Sequence, residues 1–234
     1  MYTFSDRSLD YQTRLTNFME QRIYPNEEVW AAQRQDALDP WAPLPLIEEL
    51  KAQAREAGLW NLALPHSRFG PRLTNFDYAP LAEIMGRVHW CSEVFNCHAP
   101  ESGNMEMLER YGTEQQIAQW LPGLTDGRYG SAFAMTEPDV ASSDATNIQT
   151  RIERDGDHYV INGRKWWTSG AAAEHCRILF VVGQTNPEHP SKHLRQSIII
   201  GYTNAWVLYV LAAGASIPLC LLARLPKAQA PAPG

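Results

Sequence analysis

Two short segments concentrate the residues that could do chemistry. The first reads Phe133-Ala-Met135-Thr136-Glu137-Pro138-Asp139-Val-Ala-Ser142-Ser143-Asp144, and the second Lys165-Trp166-Trp167-Thr168-Ser169-Gly170. A strand ending at Thr136 offers backbone N–H groups and a hydroxyl to the polar edge of a ring, and a Trp supplies a flat apolar wall beside it. A small-residue turn such as Ser142-Ser143 lets a phosphate or another anion approach backbone donors. Together these groups suit an aromatic cofactor carrying phosphates. The plainer reading of the same residues is a β-domain with a Trp core and a polar turn. The segments flank a hairpin signal, so both can line one edge of a small sheet.

The elements that must position them fall into two classes. Residues before about 128 read as helices. Leu15, Met19 and Ile23 form one stripe, and Pro25 is expected to end that helix. Pro43 and Pro45 suit the first turn of a helix through Leu46, Ile47 and Leu50 that stops near Gly58. Asp77 is the expected N-cap of a helix through Leu81 and Met85. Thr113 and Gln116 have capping-box spacing, and Pro122-Gly123 is expected to close that helix. From Tyr129 the pattern turns to strands: 129–136, 148–153, 158–161, 178–182 and 196–200, with Arg154 to Asp157 as a hairpin turn and Asn162-Gly163 as a second turn. Helices first and strands second predict an α+β fold, an all-helical unit over 1–128 and a small, incomplete antiparallel β-domain over 129–200.

Composition bounds the rest. With 234 residues, 44% of them hydrophobic, and a net charge of −6, the chain can bury a core and lacks the footprint of a general nucleic-acid binder. Four cysteines without a C-x-x-C pair point to free thiols in a reducing, cytoplasmic setting, and residues 1–10 carry no apolar signal-like run. His89, Cys91, Cys97 and His98 do not have the spacing of converging zinc ligands, so no metal is expected there. Ala205 to Leu222 has no charged residue and matches the lower edge of a membrane span, although Gly214 and Pro218 weaken it as a helix. Lys227 to Gly234 is Ala/Pro-rich.

The two segments resemble the signatures of the acyl-CoA dehydrogenase family. Tyr111-Gly-Thr-Glu-Gln-Gln116 with Trp120-Leu121, and Gly163-Arg164-Lys165, also sit where that family has them, and the likeness runs from about residue 5 to 200. The long turn from Asp139 to Asp144 resembles the subgroup of animal members ten and eleven. The resemblance implies FAD as cofactor, with Phe133, Met135 and Thr136 at the pyrimidine edge and N5 region. It implies Ser142 near the pyrophosphate, Ser143 near the acyl-CoA, and Trp167, Thr168 and Ser169 across the ring. The implied reaction is α,β-dehydrogenation of an acyl-CoA thioester, with a carboxylate taking the α-proton, hydride passing to flavin and electrons leaving to an electron-transfer flavoprotein. In the family the catalytic carboxylate and most of the subunit interface belong to a third, helical domain that nothing after Ile200 resembles. The reading is therefore a chain without its catalytic base, truncated or frame-shifted beyond 200, with residues 201–234 as a non-family tail and homo-oligomerisation left open. The alternatives are a non-catalytic flavin or acyl-CoA binding remnant and a membrane-tethered module. Glu137 reads as structural. The unfinished sheet is expected to expose unpaired strand edges.

Overall fold

The computed structural model describes residues 3–201 and, for the backbone alone, 202 and 217–224. The chain divides into two compact units, Met1–Tyr129 and Gly130–Gly234.

The first unit is helical. Helix α1 (Asp6–Phe18) opens at Ser5, whose hydroxyl accepts the Ser8 N–H at 3.1 Å. The stripe of Leu15, Met19 and Ile23 is fully buried, with 0% exposure at each position. Pro25 does not end the helical path as the sequence predicts. A π turn (Met19–Ile23) and a 3-10 turn (Tyr24–Asn26) carry the chain into α2 (Glu27–Asp36). Pro25 stands at the start of the 3-10 turn, where a missing N–H forfeits no bond. Helix α3 (Pro45–Glu56) begins on Pro45, buries Leu46, Ile47, Leu50 and Ala54, and gives way to Gly58 at φ +65°.

Helix α4 (Asn75–Met85) is capped by Thr74, not by Asp77. The Thr74 hydroxyl accepts the Asp77 N–H at 3.1 Å and donates to the Asp77 carboxylate at 2.9 Å. Asp77 is drawn to this inner position because it also accepts the Ser5 hydroxyl at 2.9 Å. After the short α5 (Cys91–Val94) come α6 (Glu101–Tyr111) and α7 (Glu114–Thr125), the latter opening with the predicted Thr113/Gln116 capping box. Helix α7 continues through Pro122-Gly123, where closure was expected. Its last carbonyls are held by tertiary donors: Trp60 Nε1 and Asn61 Nδ2 on Thr125 O at 2.7 and 3.0 Å, and Asn96 Nδ2 on Leu124 O at 3.0 Å. The core joins the α1 stripe to Leu46, Leu50, Leu81, Met85, Val94 and Phe95.

The second unit is a mixed sheet of β1 (Gly130–Ala134), β2 (Arg151–Asp155), β3 (His158–Lys165), β4 (Cys176–Gln184), β5 (Gln196–Tyr202) and β6 (Ile217–Arg224). The β2–β3, β4–β5 and β3–β6 pairs are antiparallel, as the fold class predicts, but β1 and β4 run parallel with Ala132 opposite Leu179. Strand β4 is buried from Ile178 to Gly183 on both faces, which explains its unbroken apolar run. The β2–β3 turn has Gly156 at φ +61°, in the expected hairpin.

Asn162-Gly163 is not a turn: both residues lie inside β3. Gly163 is there for close approach, since a Cβ would stand 2.2 Å from Thr150 Oγ1 and 2.8 Å from Thr150 Cα. The outer edge of β3 is not left open either. It pairs with β6 from His158↔Arg224 to Lys165↔Ile217, so residues 217–222 of the apolar stretch are strand backbone. The rest of the tail, 203–216 and 225–234, lies outside the described residues. Among the described residues, no helix is long and apolar enough to cross a membrane.

Candidate functional site

Strand β1 ends at Ala134, and β3 ends at Lys165. Beyond these ends the two chemistry-bearing segments meet: the Trp166 N–H donates to Thr136 O at 3.1 Å. Beneath that contact lies a buried ion pair. Lys165, 2% exposed, donates from Nζ to Glu137 Oε1 at 2.8 Å and to Met135 O at 2.9 Å. Glu137, 5% exposed, also accepts Thr150 N–H at 2.9 Å and the Thr150 hydroxyl at 2.6 Å on Oε1, and Gln149 N–H at 2.8 Å on Oε2.

Burial works against the charge on each partner. At Glu137 the opposing contribution of Lys165, Thr150 and Gln149 wins, and the carboxyl is held below its ordinary range. At Lys165 burial is the larger influence, and the ammonium is held below its ordinary range despite Glu137. Four donors on the carboxylate favour its ionised form, and its charge offsets part of the burial penalty on the ammonium. Both Glu137 carboxylate oxygens are engaged by donors of the protein. The sequence reading gave Lys165 no role of its own and missed Thr150. The one available signal was a Lys embedded beside two Trp residues at a strand end.

The eight predicted site residues separate into outward and inward groups. Thr136, Ser143, Trp167 and Ser169 are exposed, whereas Phe133, Met135 and Thr168 are half-buried. Trp167 is 78% exposed and takes φ +51°, a left-handed conformation that costs a bulky residue of order 1–3 kcal/mol. Its indole packs at 5.5 Å from that of Trp166 and is otherwise offered to solvent. Ser142 turns inward, and its hydroxyl accepts the Glu137 N–H at 2.9 Å. The turn it anchors is tied to β3 by Arg164 and Asp139 at 3.1 Å and closed by Asp144, which accepts the Thr146 N–H at 2.9 Å. Gly170, at φ +84°, carries the second segment back toward β4 within 3.3 Å of Ser131 O, the distance a Cβ would reach.

The Cys/His cluster of the first unit does other work. Cys91 lies 3.2 Å from Met19 Sδ, the Cys97 thiol donates to Phe95 O at 3.2 Å, and His98 meets Glu101 at 3.0 Å. Burial pushes the Cys91 thiol up to about 12 and the Cys97 thiol to about 11. Such thiols pack and do not react at neutral pH.

Comparison with known proteins gives the same segments a wider setting. A family model described as the acyl-CoA dehydrogenase N-terminal domain matches residues 5–128, and one described as the acyl-CoA dehydrogenase middle domain matches 132–201. "Probable acyl-CoA dehydrogenase FadE2" of Mycobacterium tuberculosis is 52% identical over 202 residues, covering 85% of this chain and 48% of that protein. Acyl-CoA dehydrogenase family member 10 of Mus musculus is 49% identical over 192 residues, covering 80% of this chain and 18% of that protein. This chain therefore spans less than half of those curated relatives. A solved structure from Mycobacterium abscessus, assigned to the acyl-CoA dehydrogenases, superposes with a TM-score of 0.87 at 37% identity, over 96% of this chain and 60% of that one. A glutaryl-CoA dehydrogenase from Mycobacterium smegmatis in complex with FADH2 shares the fold, with a TM-score of 0.64 at 20% identity over 95% of this chain and 54% of its own.

Proposed function

The chain belongs to the acyl-CoA dehydrogenase family, and on that premise we propose that it is the flavin-holding part of an FAD-dependent acyl-CoA α,β-dehydrogenase. The observation that carries this reading is Trp167: a large apolar side chain, 78% exposed, in a backbone conformation that is costly unless the side chain is wanted outside. Thr136, which is exposed and whose C=O accepts the Trp166 N–H, carries a hydroxyl and an N–H at the same strand end. A flat ring with a polar edge fits an indole wall next to fixed donors. FAD, when bound, supplies the hydride acceptor.

In this reading Thr136, Met135 and Phe133 serve the ring from the β1 side, and Trp167, Thr168 and Ser169 from the other. Ser143, which is exposed, serves the acyl-CoA. Ser142 serves the phosphates through the turn it anchors, because its hydroxyl is already engaged with Glu137. Glu137 is not the α-proton base, since all its donors are structural and Lys165 neutralises it. The substrate is an acyl-CoA thioester and the electron acceptor an electron-transfer flavoprotein. The test is a visible spectrum of the purified chain after incubation with FAD and desalting. A retained flavin band, lost on combining Trp167→Ala with Thr136→Ala, is the expected result. A colourless wild-type chain that is folded by circular dichroism would refute the reading.

A further inference from the structure

The buried pair beneath the site has a directional consequence. In a planar trans peptide the C=O and the following N–H point in opposite directions. The Thr136–Glu137 peptide shows this: its C=O accepts the Trp166 N–H, and its N–H reaches the other way to Ser142 Oγ. The preceding peptide is fixed in the same manner. The Met135 C=O is held inward by Lys165 Nζ at 2.9 Å, so the Thr136 N–H is turned outward. Thr136 is exposed, and among the described residues no acceptor meets that N–H. Lys165 is itself held by Glu137, and Glu137 by Thr150 and Gln149, so the ammonium that meets Met135 O is tied on its other side.

We propose that Lys165 is a positioning residue for the flavin: by holding Met135 O it aims the Thr136 N–H outward as a preset donor to the polar edge of the ring. The inference rests on the flavin reading above and goes beyond it by assigning the donor's aim to a residue that touches no cofactor. A preset donor costs no reorganisation when the ring arrives. It also stabilises the electron-rich reduced ring more than the oxidised one, so it raises the reduction potential.

The test is Lys165→Met in the full chain, read by FAD titration, by the reduction potential of the bound flavin and by circular dichroism. Expected is a folded variant with FAD affinity weakened about tenfold and a more negative potential. A purely structural role would shift unfolding and leave the potential alone. Residue-resolved amide exchange on the wild-type chain is the second measurement: adding FAD is expected to protect the Thr136 amide. Wild-type affinity and potential in Lys165→Met overturn the proposal, and so does a Thr136 amide that FAD leaves unprotected. If Lys165→Met does not fold, the amide measurement decides alone. A folded wild-type chain that binds no FAD removes the reading beneath the proposal as well as the proposal, which separates the two failures.

Discussion

Replacing Glu137 by Gln removes a charge and almost no volume, so its cost can be worked from the hydrogen bonds alone. Oε1 accepts three donors, from Thr150 N, Thr150 Oγ1 and Lys165 Nζ, and Oε2 accepts Gln149 N–H at 2.8 Å. An amide oxygen can take the crowded position, but the NH2 group then faces the Gln149 N–H, donor against donor. The Lys165 ammonium, 2% exposed, is left facing a neutral amide oxygen and Met135 O, with no counter-charge. Breaking one side of a buried ion pair costs about 3–5 kcal/mol, and a charge-assisted hydrogen bond is worth about 1.5–3 kcal/mol, parts of one loss that do not add. We expect Glu137→Gln to destabilise the β-unit by about 3–5 kcal/mol. Urea unfolding of the full chain, followed by circular dichroism, measures it.

The pH dependence supplies a signed check. The Glu137 carboxyl is held below its ordinary value of 4.5 in the folded chain. Its stabilisation is therefore fully present above that value and is lost as pH falls through the lower folded value. The variant should lack this acid limb of the stability curve. A cost below about 1 kcal/mol, or an acid limb unchanged from wild type, would refute the claim that this carboxylate organises the strand ends.

Gly163→Ala is expected to cost about 1–3 kcal/mol, because its Cβ meets Thr150 at Oγ1 and at the backbone and pushes it from Glu137; unfolding midpoints check this, and a neutral result would refute the close packing. Trp167→Gly is expected to change stability by less than about 1 kcal/mol, as relief of left-handed strain offsets glycine's extra freedom when unfolded. The same variant should lose flavin retention. A stability loss above about 2 kcal/mol would mean that Trp167 packs against protein and is not offered to a ligand.

Local signals were legible wherever the energetics were local. The Thr113/Gln116 capping box, the Pro45 helix start and the Gly156 hairpin each involve neighbours within one turn, and each stands as read. Signals that depended on distant partners were not legible. Pro122-Gly123 reads as a stop, but Trp60, Asn61 and Asn96 supply donors that carry α7 past it. Asn162-Gly163 reads as a turn because a glycine in sequence does not reveal whether it answers a dihedral angle or a neighbour's side chain; here the neighbour is Thr150. The motif residues at the candidate site were visible as types. The Lys165–Glu137–Thr150 arrangement behind them was not, since it exists only once β1, β2 and β3 are registered.

The parallel pairing of β1 with β4 has a kinetic side. Parallel neighbours cannot be joined by a tight turn, and here the chain between Ala134 and Cys176 makes the whole β2–β3 hairpin before it returns. Both chemistry-bearing segments lie on that excursion, one where the chain departs from β1 and one on its way back to β4. The entropy of closing so long a loop must be met before the β1–β4 contacts repay it, so this closure belongs late in folding, after the local hairpin. The candidate site is consequently among the last surfaces of the unit to come into existence. A ligand that recognised it would bind only chains whose sheet has closed, and would stabilise that closed form.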